Sequence, residues 1–499
     1  MNFNSLAFLI FLPVVLILYW ILPHKFRWAM LLIASYIFYM SYNPWLIFLI
    51  LSTTLVSYLS GIFIEKTEKK GFKRFWLILT IVVSIGALIF FKYFNFLIQS
   101  AIDFINLFPI HLERPAFDII LPIGISFYTF QTLSYVIDVY KGKFKAERHI
   151  GYYALFVCYF PQLVAGPIER PGDLIPQLKA EHKFNSEDFF AGLRILLVGF
   201  FYKCAVADFL GIYVNNVFND VANANALSVF LAGFLFSVQM YCDFAGYSEI
   251  ATGCARMMGI RLSRNFYRPY AATSYGDFFR RWHITLTRWF TSYVYIPLGG
   301  NRKGTARRIL NTYIVFLLCG LWHGANWTYV LWGLYAATWL TLEILLAKPA
   351  ARLCEYLKIN PNSKLMIVIR VIVMNIIFVP AAIIFRSADV AQVGQLFLAL
   401  FTKWGAGTAY FAAAMASLGA TTLIFVQFAL LITAEVSIFH FGEIDRDKPE
   451  DLSALPAREV ASLKAHRLTT SLYLVIIIAV CWVALLGSGA ASAFQYFQF

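Results

Sequence analysis

Charge is scarce in this 499-residue chain. Acidic and basic residues together supply 14% of it, against about a quarter in an ordinary soluble domain. Apolar residues supply 60%, and the mean hydropathy is +0.68. That balance excludes a soluble globular protein and describes a polytopic membrane protein. Cysteine is limited to positions 158, 204, 242, 254, 319, 354 and 481, with no Cys-x-x-Cys pair and each residue in or beside an apolar run. These cysteines read as small buried hydrophobes, not as disulfides or metal ligands. A Gly-x-Ser-x-Gly elbow, a His-Glu-x-x-His zinc motif and a phosphate-binding glycine loop are all missing, so the chemistries those motifs carry have no support. Too few His, Cys or carboxylate residues converge for a metal site. The first apolar run, residues 6–22, has neither a basic stretch before it nor a small-residue cleavage site after it, and reads as a retained span.

What charge there is falls in alternate loops. Lys25 and Arg27 follow the first apolar run, and Lys66, Lys69, Lys70, Lys73 and Arg74 follow the third. Lys141, Lys143, Lys145 and Arg148 follow the fifth, whereas the loops after the second and fourth are nearly free of excess base. By the positive-inside rule this alternation puts the N-terminus outside the cytoplasm. The net charge of +14 therefore reports topology and contact with membrane lipids, not nucleic acid. Spans are expected at 5–22, 27–41, 45–63, 75–98, 117–138, 187–207, 226–250, 328–346, 365–385, 417–439 and 469–488, with a Pro- and Gly-broken, re-entrant element near 151–171. The expectation is an all-α polytopic membrane protein of about ten to twelve transmembrane helices, with re-entrant and interfacial helices. It is read as one domain over 1–499: N-terminal spans in 1–140, a motif-bearing core in 150–346, and C-terminal spans in 365–499 that enclose a polar loop at 441–467.

One tripeptide stands out against this apolar background. Arg307 and Arg308 end a basic segment, residues 309–321 carry no charge, and Trp322-His323-Gly324 follows. If the arginines mark a membrane surface, a helix carries His323 roughly 22 Å into a hydrocarbon core of about 30 Å. An ionisable side chain at that depth is a functional-site hypothesis by default, and the bland alternative is a neutral histidine tying two helices by one hydrogen bond. Gly320 and Gly324 would let a substrate approach the backbone. Asn326 could orient the imidazole or the substrate, or simply cap a helix. Of the remaining histidines, only His283, in Arg281-Trp282-His283, shares a tryptophan-flanked setting. A neutral imidazole can take the proton of a hydroxyl as it attacks an acyl carbon, and with no nucleophile signature in the chain, direct acyl transfer fits best. Asp243 and Glu249 end another apolar run and invite pairing with an arginine such as Arg256, as a structural clamp or a participant. Residues 251–308 hold eleven Arg or Lys residues and one acid, Asp277, interleaved with aromatics. They read as short interfacial helices, or as a docking surface for an anionic cytosolic substrate.

At these residues the chain resembles the membrane-bound O-acyltransferases. The likeness rests on ordered motifs: Leu121-Pro122-Ile123-Gly124-Ile125-Ser126-Phe127, Gln162-Leu163-Val164-Ala165-Gly166-Pro167-Ile168, Asp243-Phe244-Ala245-Gly246-Tyr247-Ser248, and Asn265-Phe266 with Pro269. Arg281-Trp282-His283-Ile284-Thr285-Leu286 with Trp289, Tyr295-Ile296-Pro297-Leu298-Gly299-Gly300-Asn301-Arg302, and Gly320-Leu321-Trp322-His323-Gly324-Ala325-Asn326-Trp327 complete the series. Within the family it is most similar to the bacterial polysaccharide branch of alginate O-acetylation, an ending of Phe497-Gln498-Phe499 included. It departs in having Thr291-Ser292 where that branch commonly carries Arg-Asp. The resemblance implies a through-membrane tunnel, His323 as catalytic histidine and His283 as the second family histidine. Trp322, Asn326, Asp243, Tyr247, Arg281 and Trp282 become candidate substrate contacts. It also implies cytosolic acetyl-CoA as donor with no bound cofactor, an exported polysaccharide as acceptor, a periplasmic SGNH-type partner and an inner-membrane location. A polysaccharide or lipid transporter, or an assembly scaffold, is the rival reading. Transporters usually show paired halves with matching interruptions, whereas the unusual residues here concentrate in 240–330.

Overall fold

The computed structural model describes residues 1–419 except 114, 116 and 118. Among them helices alone provide regular structure. The N-terminal part contains α1 (Leu6–Ile21), α2 (His24–Met40), α3 (Ile47–Lys66), α4 (Lys70–Leu88) and α5 (Phe94–Ile105), then α6 (Ile125–Tyr140), α7 (Ile150–Cys158) and α8 (Pro171–Lys179). Next come α9 (Ser186–Phe200), α10 (Asp208–Asn219), α11 (Ala226–Met257), α12 (Tyr275–Arg281) and α13 (Ile284–Phe290). The last helices are α14 (Thr305–His323), α15 (Trp327–Tyr356), α16 (Lys364–Arg386), α17 (Val390–Thr402) and α18 (Thr408–Leu418). Many starts are set by local chemistry. Ser5, Asn185, Ser274, Asn326, Ser363 and Asp389 each accept an orphan amide of the first turn, and Asn225 forms a reciprocal capping box with Ser228.

Among the described residues, six stretches are long and apolar enough to cross a membrane: Pro44–Lys66, Lys70–Ile105, Ser186–Asn219, Ala226–Met257, Trp327–Tyr356 and Lys364–Arg386. Leu6–Ile21, Val390–Thr402 and Thr408–Leu418 are shorter apolar helices. The all-α polytopic architecture is thus present. The expected span at 469–488, nearly all of that at 417–439, the 441–467 loop and the Phe497-Gln498-Phe499 ending lie outside the described residues.

Two expectations need correction in detail. The helix expected from 117 begins only at Ile125, because Gly124 sits at φ 76° with its α-carbon against the Leu163 carbonyl, where a Cβ would come within 2.6 Å. Fourteen of the sixteen residues of α6 are buried, so it is a core element without a lipid-facing side. Within 251–308 the short helices α12 and α13 do form, yet one side of them packs into the protein: Tyr275, Phe278, Phe279, Leu286, Trp289 and Phe290 are buried, while Arg280 and Arg288 are exposed. The broken element after α7 is as expected. Every residue from 153 to 169 is buried, and its open backbone is met by side chains, Ser35 Oγ accepting from Phe160 N and Thr285 Oγ1 from Ile168 N, both at 3.0 Å. Irregular backbone at membrane depth is tolerable under those conditions.

Close helix contact is built on glycine. On α9 and α11, Gly192 faces Gly253 and Gly199 faces Gly246, and a Cβ on any of the four would lie 2.6–2.8 Å from the opposing carbonyl. The seven-residue spacing on both helices keeps this seam on one face of each, and small residues let the backbones approach.

Candidate active site

The central feature is a helical hairpin. Helix α14 stops at His323, Gly324 is extended at φ −167° and ψ 160°, and Asn326 caps the start of α15. The two helices run antiparallel, for Gly320 abuts Tyr329, Phe316 abuts Gly333, and Tyr313 Oη meets Thr338 Oγ1 at 3.0 Å. The chain therefore breaks and turns back at the end of the uncharged run 309–321, with the histidine at the tip. A Cβ on Gly320 would fall 2.2 Å from Tyr329 O, and one on Gly324 2.1 Å from the Tyr329 ring. The two glycines thus serve the packing of α15 on α14, and the expected approach of substrate to their backbone is replaced by that contact.

A cavity of about 540 Å³ follows this hairpin. Arg308, Thr312, Val315, Phe316, Cys319 and His323 line it from α14. That stripe at helical spacing runs fifteen residues, or roughly 22 Å at 1.5 Å per residue. From α15, Trp332 lies at the histidine end, its ring 5.2 Å from that of His323, and Glu343 and Ala347 line the return. Helices α12 and α13 and the junction between them close the remaining side with Phe279, Arg280, Trp282, His283, Leu286 and Phe290. One end thus carries Arg308 and the other carries imidazoles.

His283 and His323 come together around Trp322. The indole centroid is 5.5 Å from the His283 ring and 4.9 Å from the His323 ring, and both histidines line the cavity while Trp322 packs behind them on Phe127 and Phe130. His323 is 9% exposed, its ring against Trp332 and Phe385, with Nε2 4.0 Å from Cys319 Sγ. His283 is 2% exposed and adopts φ 43°, ψ 55° at the N-cap of α13. That left-handed conformation costs energy for a side-chain-bearing residue and is held from one place. Asn265 O accepts from Ile284 N at 2.9 Å, and Asn265 Oδ1 accepts from Thr285 N and Thr285 Oγ1. Because a backbone N–H can only donate, the amide oxygen of Asn265 is assigned, and its 3.0 Å contact to His283 Nδ1 requires that nitrogen to carry a proton. The neutral ring then bears its lone pair on Nε2, which has no hydrogen-bond partner among the described residues.

The other candidates fall in different places. Trp282 lines the cavity. Arg281 does not; it pairs with Asp277 at 3.1 Å, and its neighbour Arg280 lines the cavity instead. Although burial works against the ionised Asp277, its hydrogen bond from Arg281 holds the carboxyl below the ordinary range. Asn326 Oδ1 accepts from Thr328 N and its Nδ2 donates to Ala388 O, which is the capping role, and it does not line the cavity. Asp243 is clamped as foreseen but by Lys203 at 2.8 Å, which also meets Asp208 at 2.7 Å, while Arg256 pairs with Asp188. Tyr247 stacks on Phe3 at 4.4 Å, away from the cavity lining. Thr291 lines the cavity, and Ser292 Oγ accepts from Arg170 at 2.7 Å. Sequence reasoning left Asn265 without a role although it stands in a quoted motif, and overlooked Glu343, which accepts the Tyr275 and Gly276 amides at the start of α12.

A multi-pass helical protein with a deep cavity running from arginine to paired imidazoles is built as a membrane-embedded enzyme. The chain belongs to the membrane-bound O-acyltransferase family, and it is an O-acyltransferase. Residues 147–384 match the family model described as MBOAT, membrane-bound O-acyltransferase family. A probable alginate O-acetylase of Pseudomonas aeruginosa is 35% identical over 89% of this chain and 81% of that protein. A peptidoglycan O-acetyltransferase of Helicobacter pylori is 34% identical over 66% and 68% respectively. A teichoic acid D-alanyltransferase of Bacillus subtilis is 28% identical over 46% and 60%.

Proposed function

We propose that this O-acyltransferase takes an acetyl group from cytosolic acetyl-CoA and passes it across the inner membrane for O-acetylation of an exported polysaccharide, with a periplasmic SGNH-type partner completing the transfer. The cavity is the observation that supports the reading most strongly. Its length and its arginines suit a long donor with an anionic head at Arg280 and Arg308 and a thioester at the histidines. The apolar middle of the shaft, Val315, Phe316, Leu286 and Phe290, excludes water from the thioester. An acceptor hydroxyl attacks the acetyl carbon, the carbon–sulfur bond breaks, and the hydroxyl proton passes through an imidazole to the departing thiolate. His323 is the residue we assign to that proton, with His283, whose Nε2 carries the lone pair, as its partner across Trp322. The catalytic core falls within residues 150–346.

The test is His323→Ala. Acetylation of the exported polymer should be abolished while the protein reaches the membrane at normal levels, and retained acetylation would refute the assignment. Labelled acetyl-CoA with purified protein tests the donor, since absent thioester turnover with and without the partner would favour a transporter or scaffold.

A further inference from the structure

An α-helix leaves its last four carbonyls without intrahelical donors. At the end of α14, the carbonyl of Gly320 receives the Gly324 amide at 3.4 Å. The other three are closed from another part of the chain. Tyr93 Oη donates to Leu321 O at 2.6 Å, and Lys92 Nζ donates to Trp322 O at 2.6 Å and to His323 O at 3.1 Å. Two consecutive residues thus satisfy every remaining carbonyl of the helix end that carries His323.

They come from the π-helical turn Ile89–Tyr93, set between α4 and α5 inside the long apolar stretch Lys70–Ile105. Single π turns within longer helices frequently accompany functional sites. An ammonium in such a stretch is costly, and among the described residues no carboxylate forms an ion pair with this one. Its charge instead meets the negative end of the α14 dipole, the favourable place for a cation. Neither Lys92 nor Tyr93 lines the cavity, so neither touches a reactant held there. Arg308 lines the cavity from the first turn of α14, at the opposite end from the carbonyls that Lys92 and Tyr93 hold, so the two ends are separable in an assay.

We propose that Lys92, supported by Tyr93, is a positioning residue for His323: the π turn grips the carbonyl end of α14 and sets the direction in which the imidazole enters the cavity. The proposal rests on His323 carrying the chemistry. Its signature is a fall in turnover without a change in donor binding.

The experiment compares Lys92→Met, Lys92→Arg, Tyr93→Phe and His323→Ala in membrane vesicles, with acetyl-CoA as donor and polymer acetylation in whole cells as a parallel readout. Folded protein is quantified by melting in detergent. Lys92→Met should lower kcat tenfold or more with KM within twofold, Lys92→Arg should recover most of that loss, and Tyr93→Phe should lose less. Wild-type kcat in Lys92→Met, a loss that Lys92→Arg does not relieve, or a loss that tracks the amount of folded protein would overturn it. Should Lys92→Met fail to accumulate, Tyr93→Phe decides, with unchanged kcat counting against the proposal. An active His323→Ala sinks the catalytic reading itself, whereas an inactive His323→Ala beside a fully active Lys92→Met sinks only this one. If vesicles turn over no acetyl-CoA, the same comparison is read from polymer acetylation.

Discussion

Replacing Asn265 with alanine should disable the enzyme without touching the cavity. Asn265 Oδ1 accepts from His283 Nδ1, Thr285 Oγ1 and Thr285 N, and Asn265 Nδ2 donates to Ser248 Oγ at 3.2 Å, all in the buried interior. Stranding three buried donors at about 1 kcal/mol each gives a destabilisation of about 3 kcal/mol. His283 loses more than a partner, because its left-handed backbone costs roughly 1–3 kcal/mol and keeps, of that grip, only the bond from the Ile284 amide to the main-chain carbonyl of residue 265. At about 1.4 kcal/mol per factor of ten, relaxation of the turn empties the working orientation of His283 by about ten- to a hundredfold. Acetyl transfer per folded molecule should fall by the same factor. The assay pairs detergent melting, which gives the folded fraction, with the transfer rate from labelled acetyl-CoA. An Asn265→Ala enzyme within twofold of wild type per folded molecule would refute both the tautomer assignment and the role given to His283.

Two further outcomes follow from the hairpin and the cavity mouth. Gly320→Ala should lower the melting temperature and abolish transfer, since its Cβ would stand 2.2 Å from a backbone carbonyl that cannot move aside, while Gly394→Ala, with nothing within 4 Å, should match wild type in the same measurements. Removing both cavity arginines in Arg280→Ala/Arg308→Ala should raise KM for acetyl-CoA by roughly tenfold or more, as expected for lost charge-assisted contacts, with kcat little changed and the defect shrinking as salt rises. An unchanged KM would place the donor's head elsewhere.

Much of the molecule was legible because membrane helices are written in single stretches of sequence. Apolar runs of the right length located α1, α3, α11, α15 and α16, and Pro161, Gly166 and Pro167 marked the buried break after α7. Counting residues back to Arg308 put His323 inside the apolar interior, and it is 9% exposed at the far end of the cavity that Arg308 begins. Lys92, a lone charge in the apolar stretch 75–98, carried a comparable signal that the sequence reading passed over, and its partner at the end of α14 lies 230 residues away. Residues that act at long range were harder to read. Asp243 plainly needed a cation, yet Lys203 and Arg256 are both plausible in sequence, and the choice depends on how the π turn Phe201–Ala207 meets α11.

Sequence alone determined that this chain is a helical membrane protein and singled out His283 and His323 as the candidate histidines, because hydropathy, caps and ordered motifs are local properties. The tertiary structure decided which nitrogen of His283 bears the lone pair, that Gly320 serves helix packing, and that Lys92 and Tyr93 close the end of α14. Each of those depends on a contact across the bundle, where hydrogen bonds and van der Waals exclusion act over a few ångströms of space and are blind to separation along the chain.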